Sequence, residues 1–229
     1  MSKLKNLNLN SLQLKLLGYA MTLFGAVGIT FFSGEGQEMT RLILEFISYP
    51  AIAIFVFLLV EGYEHTEDRR RYTLQLALTA VAAEPFYDYA CIGKWLDFGA
   101  ANGQNFLFAL LMCQLILVFL KTAEQSRKFK GFMVFSLLLA IPFWSALFNV
   151  RFSGIAMILT VVFYLLREKP KARDITALAV GTVLKVTGGL SALLIHGYNG
   201  ERGGYSKHLF YALYPAMWVI LSLVKFVIA

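Results

Sequence analysis

The chain has 229 residues, of which 58% are hydrophobic and only 15% are charged, and its mean hydropathy is +0.64. A soluble domain carries about 45–50% apolar and about 25% charged residues, so this composition excludes an ordinary soluble domain, a disordered chain and a secreted disulfide scaffold. The net charge of +7 would suggest nucleic acid in a soluble protein. In a chain this apolar, the position of the basic residues indicates membrane orientation instead. The sequence therefore predicts a polytopic membrane protein.

Eight apolar stretches follow one another along the chain, each long enough or nearly long enough to cross a hydrocarbon core of about 30 Å. Lipid cannot satisfy backbone amides and the stretches lack strand-like alternation, so each is predicted to be a helix. No repeat or second domain interrupts the series, which predicts a single all-α transmembrane bundle over residues 1–229. The predicted spans are Leu14–Phe32, Leu42–Tyr63, Tyr72–Cys91, Asn105–Leu120, Phe132–Phe148, Phe152–Leu166, Ile175–His196 and Leu209–Ile228.

Basic residues are distributed unequally between the two faces that these spans define. With the N-terminus inside, 15 lysines and arginines fall on the cytoplasmic face and 5 on the opposite face. This excess matches the positive-inside rule. Eight spans in this orientation place both termini in the cytoplasm.

Ionisable residues inside a span cost about 2.5–3.5 kcal/mol on insertion scales and indicate function by default. In chain order, Glu45 follows Arg41 by one helical turn and predicts a local ion pair. Glu61 and His65 have the same spacing, which is compatible with a carboxylate that orients a general base or with a polar pair at the end of a helix. Glu84 precedes a proline, where it could accept a hydrogen bond, pair with Lys185 or line a cavity.

Lys185 lies near the middle of the seventh predicted span and needs an acid, a water-filled cavity or a depressed pKa, so it either ties the bundle together or binds substrate. Three consecutive arginines, Arg69, Arg70 and Arg71, either contact lipid headgroups or bind the phosphates of an acyl donor. Neither Cys91 nor Cys113 belongs to a ligand cluster, so both are predicted to be free thiols and no metal is expected.

The segment after the seventh span is predicted to be a tight turn that presents Asn199 and Arg202 near the bilayer on the outer face. Its glycines do not form a phosphate-binding fingerprint, because no strand precedes them. In the eighth span, Tyr211 and Tyr214 are either interfacial anchors or part of a substrate groove.

Two blocks of residues resemble the bacterial TraX family in order and spacing. The blocks are Tyr49-Pro50, Phe57–Tyr63, His65-Thr66, Arg69, Tyr72 and Glu84–Phe86, and then Tyr198–Gly200, Arg202-Gly203, Lys207, Phe210-Tyr211 and Tyr214-Pro215. The resemblance implies a multi-pass protein of the bacterial cytoplasmic membrane, related to the acetyltransferase that modifies the N-terminus of conjugative pilin. It also implies an acyl-CoA donor, such as acetyl-CoA, and a protein N-terminus or a surface-glycan hydroxyl as acceptor.

By this resemblance, catalytic roles fall to Glu61, His65 and Glu84, and Arg69–Arg71 would contact the donor phosphates. The resemblance also gives substrate-binding roles to Asn199, Arg202 and Tyr214, and the positions of Lys185 and Tyr211 within their spans add these two residues to the predicted substrate-binding set.

The chain departs from the family pattern at three places that matter for chemistry. Leu23–Gly28 replaces an Asp-His pair in the first helix, Met217 replaces a histidine, and an acidic residue expected near Phe148–Arg151 is missing. Acyl transfer needs a group that takes the proton of the acceptor. Two hypotheses follow: an acyltransferase in which Glu61–His65 or His196 takes this proton, or a degenerate scaffold or accessory subunit that binds a partner protein or lipid. A small transporter would explain Lys185 but not the resemblance.

Overall fold

The computed structural model describes residues 7–97, 103–126, 129–184, 189–204 and 209–228. Within these ranges the chain forms nine α-helices and no named β-strand, which confirms the predicted all-α class. The helices are α1 (Ser11–Phe31), α2 (Glu38–Glu64), α3 (Arg69–Ile92), α4 (Phe106–Gln125), α5 (Lys130–Phe148), α6 (Ser153–Leu165), α7 (Pro170–Leu184), α8 (Ser191–His196) and α9 (Leu209–Ile228).

Contacts between the ends of neighbouring helices show that α1 to α6 alternate in direction, so their ends lie at two levels of the bundle. We call the end with Ser11, Glu64 and Arg69 the proximal end and the end with Phe31 and Ile92 the distal end. α2 is the central helix, because it is buried along most of its length and packs against α1, α4, α6 and α8. α5 is peripheral and exposes an almost entirely apolar surface.

Close packing of α1 on α2 depends on glycine. A Cβ atom on Gly25 would lie only 2.6 Å from the Cβ and Oγ atoms of Ser48 on α2. In membranes, helices associate largely through such close backbone approach, since lipid tails give no hydrophobic driving force between helices. Gly25 therefore sets the distance between the first two helices.

Among the described residues, five helices are long and apolar enough to cross a membrane: α1, α2, α4, α5 and α9. Each corresponds to a predicted span, with ends shifted by a few residues. α6 is apolar but has only 13 residues. α3 has 24 residues but carries three arginines in its first turn and the buried acids Glu84 and Asp88.

The seventh predicted span, Ile175–His196, differs from the structure. It contains most of α7 and all of α8, and residues 185–188 between them lie outside the described ranges. Nδ1 of His196, at the end of α8, lies 2.8 Å from Oδ2 of Asp174 in the first turns of α7. The carbonyl oxygen of Gly197 also accepts a hydrogen bond of 2.9 Å from the amide of Leu9, next to the start of α1. Both described ends of this segment therefore lie at the proximal end, and we call the two packed helices α7 and α8 the hairpin.

Because of this hairpin, the residues after His196 lie at the opposite end of the bundle from the one that the sequence predicted. The main chain of residues 197–202 lies along residues 9–12, where the amide of Asn199 donates to the carbonyl of Leu9 at 2.9 Å. The sequence had placed this segment on the opposite face. α9 then runs to the distal end, where Nζ of Lys225 donates to the carbonyl of Ala90 at 2.7 Å. The start of α1 and the end of α9 thus lie at opposite ends, whereas the sequence predicted both termini on one face.

Two loops enter the bundle from the distal end. Gln104 and Val150 pair as a short parallel bridge, with 2.9 Å from the Gln104 amide to the Asn149 carbonyl. Asn105 reaches as far inward as Ala80, where the Asn105 side-chain amide donates a hydrogen bond of 2.9 Å to the Ala80 carbonyl. Since α4 and α6 begin inside the bundle after these loops, polar main chain and Arg151 are brought into the interior.

Candidate active site

Glu61 and His65 lie close together but do not form a hydrogen-bonded carboxylate–imidazole pair. Nδ1 of His65 is 2.8 Å from the main-chain oxygen of Glu61 and 3.9 Å from its carboxylate oxygen Oε2. The His65 side chain is 80% exposed. A general base needs its ring oriented by a partner and screened from bulk water. The main-chain contact orients this imidazole, and the carboxylate adds only a longer ion pair.

The three arginines predicted to bind the acyl donor have different environments in the structure. The Arg69 guanidinium lies 4.5 Å from the centre of the buried Tyr63 ring, and its Nε atom is buried with no hydrogen-bond partner among the described residues. Arg70 and Arg71 are exposed. Their exposed position is compatible with contact to phosphates or to headgroups, and Arg69 is the one that turns towards the protein.

Glu84 is buried on α3 and is held by Asn105. One of its oxygens accepts from the Asn105 amide at 3.1 Å and also from the Asn105 side chain. The other oxygen, Oε1, is buried and has no hydrogen-bond partner among the described residues. Lys185, one of the partners considered for Glu84, lies outside the described ranges.

The predicted substrate-binding residues fall into two groups. Asn199 and Arg202 are exposed at the proximal end, where Oδ1 of Asn199 accepts from the Glu201 amide at 2.8 Å and closes a turn. Tyr211 is half-buried near the start of α9, while Tyr214 is buried and packs edge-on against Trp218. The structure therefore separates residues that the sequence had grouped.

Tyr214 lines a cavity of about 60 Å³ that lies between the first three helices, the start of α4, the Arg151 loop and α9. Ala26 and Arg151 line the same cavity, and Met217 is the buried neighbour of its lining residue Trp218. The three positions predicted to depart from the family pattern therefore lie in or beside the lining of this cavity. In the described part of the chain, neither an imidazole nor a carboxylate lines this cavity.

Arg151 is the charged group of this cavity. Its Nη2 atom lies 3.2 Å from Oε2 of Glu45, and Oε1 of Glu45 is 2.8 Å from Nε of Arg41, which confirms the predicted Arg41–Glu45 pair. Burial lowers the pKa of the Arg151 guanidinium, but Tyr87 and Glu45 beside it raise it by more, so the net shift is upward. Arg151 therefore remains a cation.

A second polar centre, of which the sequence indicated only His196, lies at the proximal end. Nδ1 of His196 is 2.8 Å from Oδ2 of Asp174, and the other Asp174 oxygen is held at 2.8 Å by Arg173. The Arg173 guanidinium in turn lies 4.9 Å from the centre of the buried Phe57 ring. The Asp174 and Arg173 side chains are each 11% exposed, and His196 is 28% exposed.

This arrangement is suited to proton transfer. A carboxylate on Nδ1 fixes the tautomer in which Nε2 carries the free lone pair, and it stabilises the imidazolium that forms when Nε2 accepts a proton. The sequence indicated His196 as a candidate base, but no motif or spacing in the sequence indicated Asp174 as its partner. If residues 174–196 formed one continuous helix, with a rise of 1.5 Å per residue, Asp174 and His196 would lie about 33 Å apart.

These features define a helical membrane protein with a small cavity lined by Arg151 towards one end and an Asp–His pair at the other. The model of the family described as TraX protein matches residues 39–225, and the chain belongs to this family. It is also 24% identical to the probable fimbrial assembly protein FimC, serogroup H1, of Dichelobacter nodosus, over 96% of this chain and 98% of that protein. No solved structure matches the chain. α1, with Ala26, precedes the residues matched by the family.

Proposed function

We propose that this chain is an acyltransferase of the bacterial cytoplasmic membrane that modifies a subunit or glycan of a surface fibre. The acyl donor is a cytoplasmic thioester such as acetyl-CoA, and His196 takes the proton of the acceptor. The observation that carries the proposal is the 2.8 Å contact between His196 and Asp174, with Arg173 holding the second carboxylate oxygen. The similarity to a protein named for fimbrial assembly supports a fibre as the acceptor.

The reaction requires one proton acceptor and no metal. The amine or hydroxyl of the acceptor attacks the thioester carbonyl, its proton passes to Nε2 of His196, and a new N–C or O–C bond forms. The C–S bond then breaks, and the imidazolium returns the proton to the leaving thiolate. Such a base contributes about 10²–10⁴-fold to the rate.

The test uses full-length protein in isolated membranes with [14C]acetyl-CoA as the probe. We measure label in the protein and glycan fractions together with release of free CoA. His196→Gln should lower transfer by about 10²–10⁴-fold, and His65→Gln, which changes an exposed histidine at the same end, is the matched control.

A folding defect would also lower activity, so a second readout is needed. Imidazole added to membranes with His196→Gly should restore part of the transfer, whereas a purely structural role gives no rescue. Equal transfer by His196→Gln and His65→Gln would exclude His196 as the base. Absence of transfer by the unchanged protein, with donor and fibre extract supplied, would exclude the acyltransferase proposal itself.

A second candidate function is an accessory subunit without catalysis. It is favoured by Ala26 and Met217, since neither alanine nor methionine can take a proton at the positions where the resemblance implies histidine. In this case a second membrane protein should co-purify with the chain at a fixed ratio, and its yield should be unchanged by His196→Gln. Fibre assembly in cells carrying His196→Gln would then equal that of the unchanged strain.

A further inference from the structure

Two acidic side chains are buried one helical turn apart in the distal half of α3. Glu84 is 2% exposed and Asp88 is 1% exposed. Residues four apart share a helix face, so a negative charge on Asp88 acts on Glu84 and opposes a second charge there. Burying two like charges side by side is costly unless a cation pairs with them.

No cation among the described residues pairs with Glu84. The two arginines that form ion pairs in the distal half both contact Glu45, with 2.8 Å from Arg41 and 3.2 Å from Arg151. Lys225, at the end of α9, donates to a main-chain carbonyl at 2.7 Å. An ionised Glu84 would therefore be a buried anion without a counter-ion in the described part of the chain.

The hydrogen bonds of Glu84 are unequal between its two oxygens. Oε2 accepts from the Asn105 amide at 3.1 Å and from the Asn105 side chain, whereas the buried Oε1 has no partner among the described residues. On the helices packed against α3, the titratable group that acts on Glu84 is the phenol of Tyr214. A neutral carboxyl has one oxygen that only accepts and one that carries a hydrogen. This matches the two oxygens of Glu84 better than a carboxylate does.

We infer that Glu84 is a proton-binding site in the distal half of the bundle, with the proton held on Oε1 at neutral pH. A buried group whose charge has no partner becomes neutral instead. Asp88 already accepts from the Asp97 amide at 2.8 Å, so the proton is assigned to Glu84. A carboxyl in this state can donate a proton and cannot serve as a base. The inference goes beyond the acyltransferase proposal and does not depend on it, because protonation is measured without any transfer step.

Infrared absorption detects this proton directly, since the C=O stretching band of a neutral carboxyl lies apart from the bands of a carboxylate. We record the spectrum of full-length protein in mild detergent at neutral pH and subtract the spectrum of the Glu84→Gln protein. Glutamine has the size of glutamate and carries no titratable proton, so the difference isolates Glu84. Asp88→Asn, one turn along the same helix, is the matched control.

The unchanged protein should show the neutral carboxyl band, Glu84→Gln should lack it, and Asp88→Asn should keep it. Raising the pH of the unchanged protein should remove the band reversibly. A second measurement is the midpoint of unfolding by denaturing detergent at neutral pH. Glu84→Gln should leave this midpoint unchanged, because one neutral side chain replaces another, whereas Glu45→Gln breaks an ion pair and should lower it.

Three results would overturn the inference. Absence of the band at neutral pH would show that Glu84 is ionised. Loss of the band when sodium chloride replaces choline chloride at constant pH would show that the site binds a metal cation. The third is a midpoint lowered as much by Glu84→Gln as by Glu45→Gln, since Glu84 would then be the charged partner of a cation.

Discussion

Replacing Glu45 by glutamine removes the one carboxylate that two arginines share. Glu45 and Arg151 have side chains that are 11% and 15% exposed, and their charged atoms are 3.2 Å apart. Glutamine keeps the shape of glutamate and can still accept a hydrogen bond, but it carries no charge. Arg151 would then be a buried cation without a counter-ion, and the protein should lose stability.

The expected loss is large for a single substitution. Two unit charges about 4 Å apart interact by about 4 kcal/mol at an effective dielectric constant of about 20, and breaking a buried pair costs about 3–5 kcal/mol. We expect about 3 kcal/mol for Glu45→Gln, since the amide keeps part of the hydrogen bonding. Arg41 is 32% exposed, so Arg41→Gln should cost less than about 1 kcal/mol.

The measurement is the free energy of unfolding in mixed micelles, obtained by reversible titration with denaturing detergent. Arg41→Gln is the matched control, because it removes one partner of Glu45 and leaves the Arg151 contact intact. Combining Glu45→Gln with Arg151→Met removes both charges and should recover part of the stability lost in the single variant. If Glu45→Gln costs no more than Arg41→Gln, the Glu45–Arg151 pair does not stabilise the fold.

Three other predictions follow from the packing and the hairpin. Labelling reporters at the two chain ends should be labelled from opposite sides of the membrane. A reporter in residues 199–202 should be labelled from the same side as the N-terminus. Labelling of both chain ends from one side would exclude the hairpin. Gly25→Ala should lower stability by about 1–3 kcal/mol because its Cβ would lie 2.6 Å from Ser48, whereas Gly131→Ala meets no atom within 4 Å and should not destabilise. Tyr164→Phe removes a 2.8 Å hydrogen bond to a carboxylate and should cost about 1.5–3 kcal/mol in the same detergent titration; an unchanged midpoint would show that this bond adds no net stability.

Local pattern accounts for the helices and for one contact of the buried ion-pair cluster. Each apolar run other than the seventh predicted span lies largely within one helix, because lipid and the protein interior impose the same need for internal backbone hydrogen bonds. The Arg41–Glu45 pair was also predictable, since residues four apart share a helix face. Arg151, the third member, comes from a loop after α5 that no spacing rule connects to α2.

The sequence by itself determined an all-α membrane chain, because hydropathy and run length are local properties. It could not determine whether residues 175–196 cross the membrane, because a hairpin and a crossing helix can have the same length and hydropathy. Contacts between Leu9 and the residues after α8 place both described ends of this segment at the proximal end, and they join parts of the chain almost two hundred residues apart. The same fold brings His196 to Asp174 and Arg151 to Glu45. The His196–Asp174 and Arg151–Glu45 pairs therefore form only in the tertiary structure, because the fold brings together charged residues that are distant in sequence.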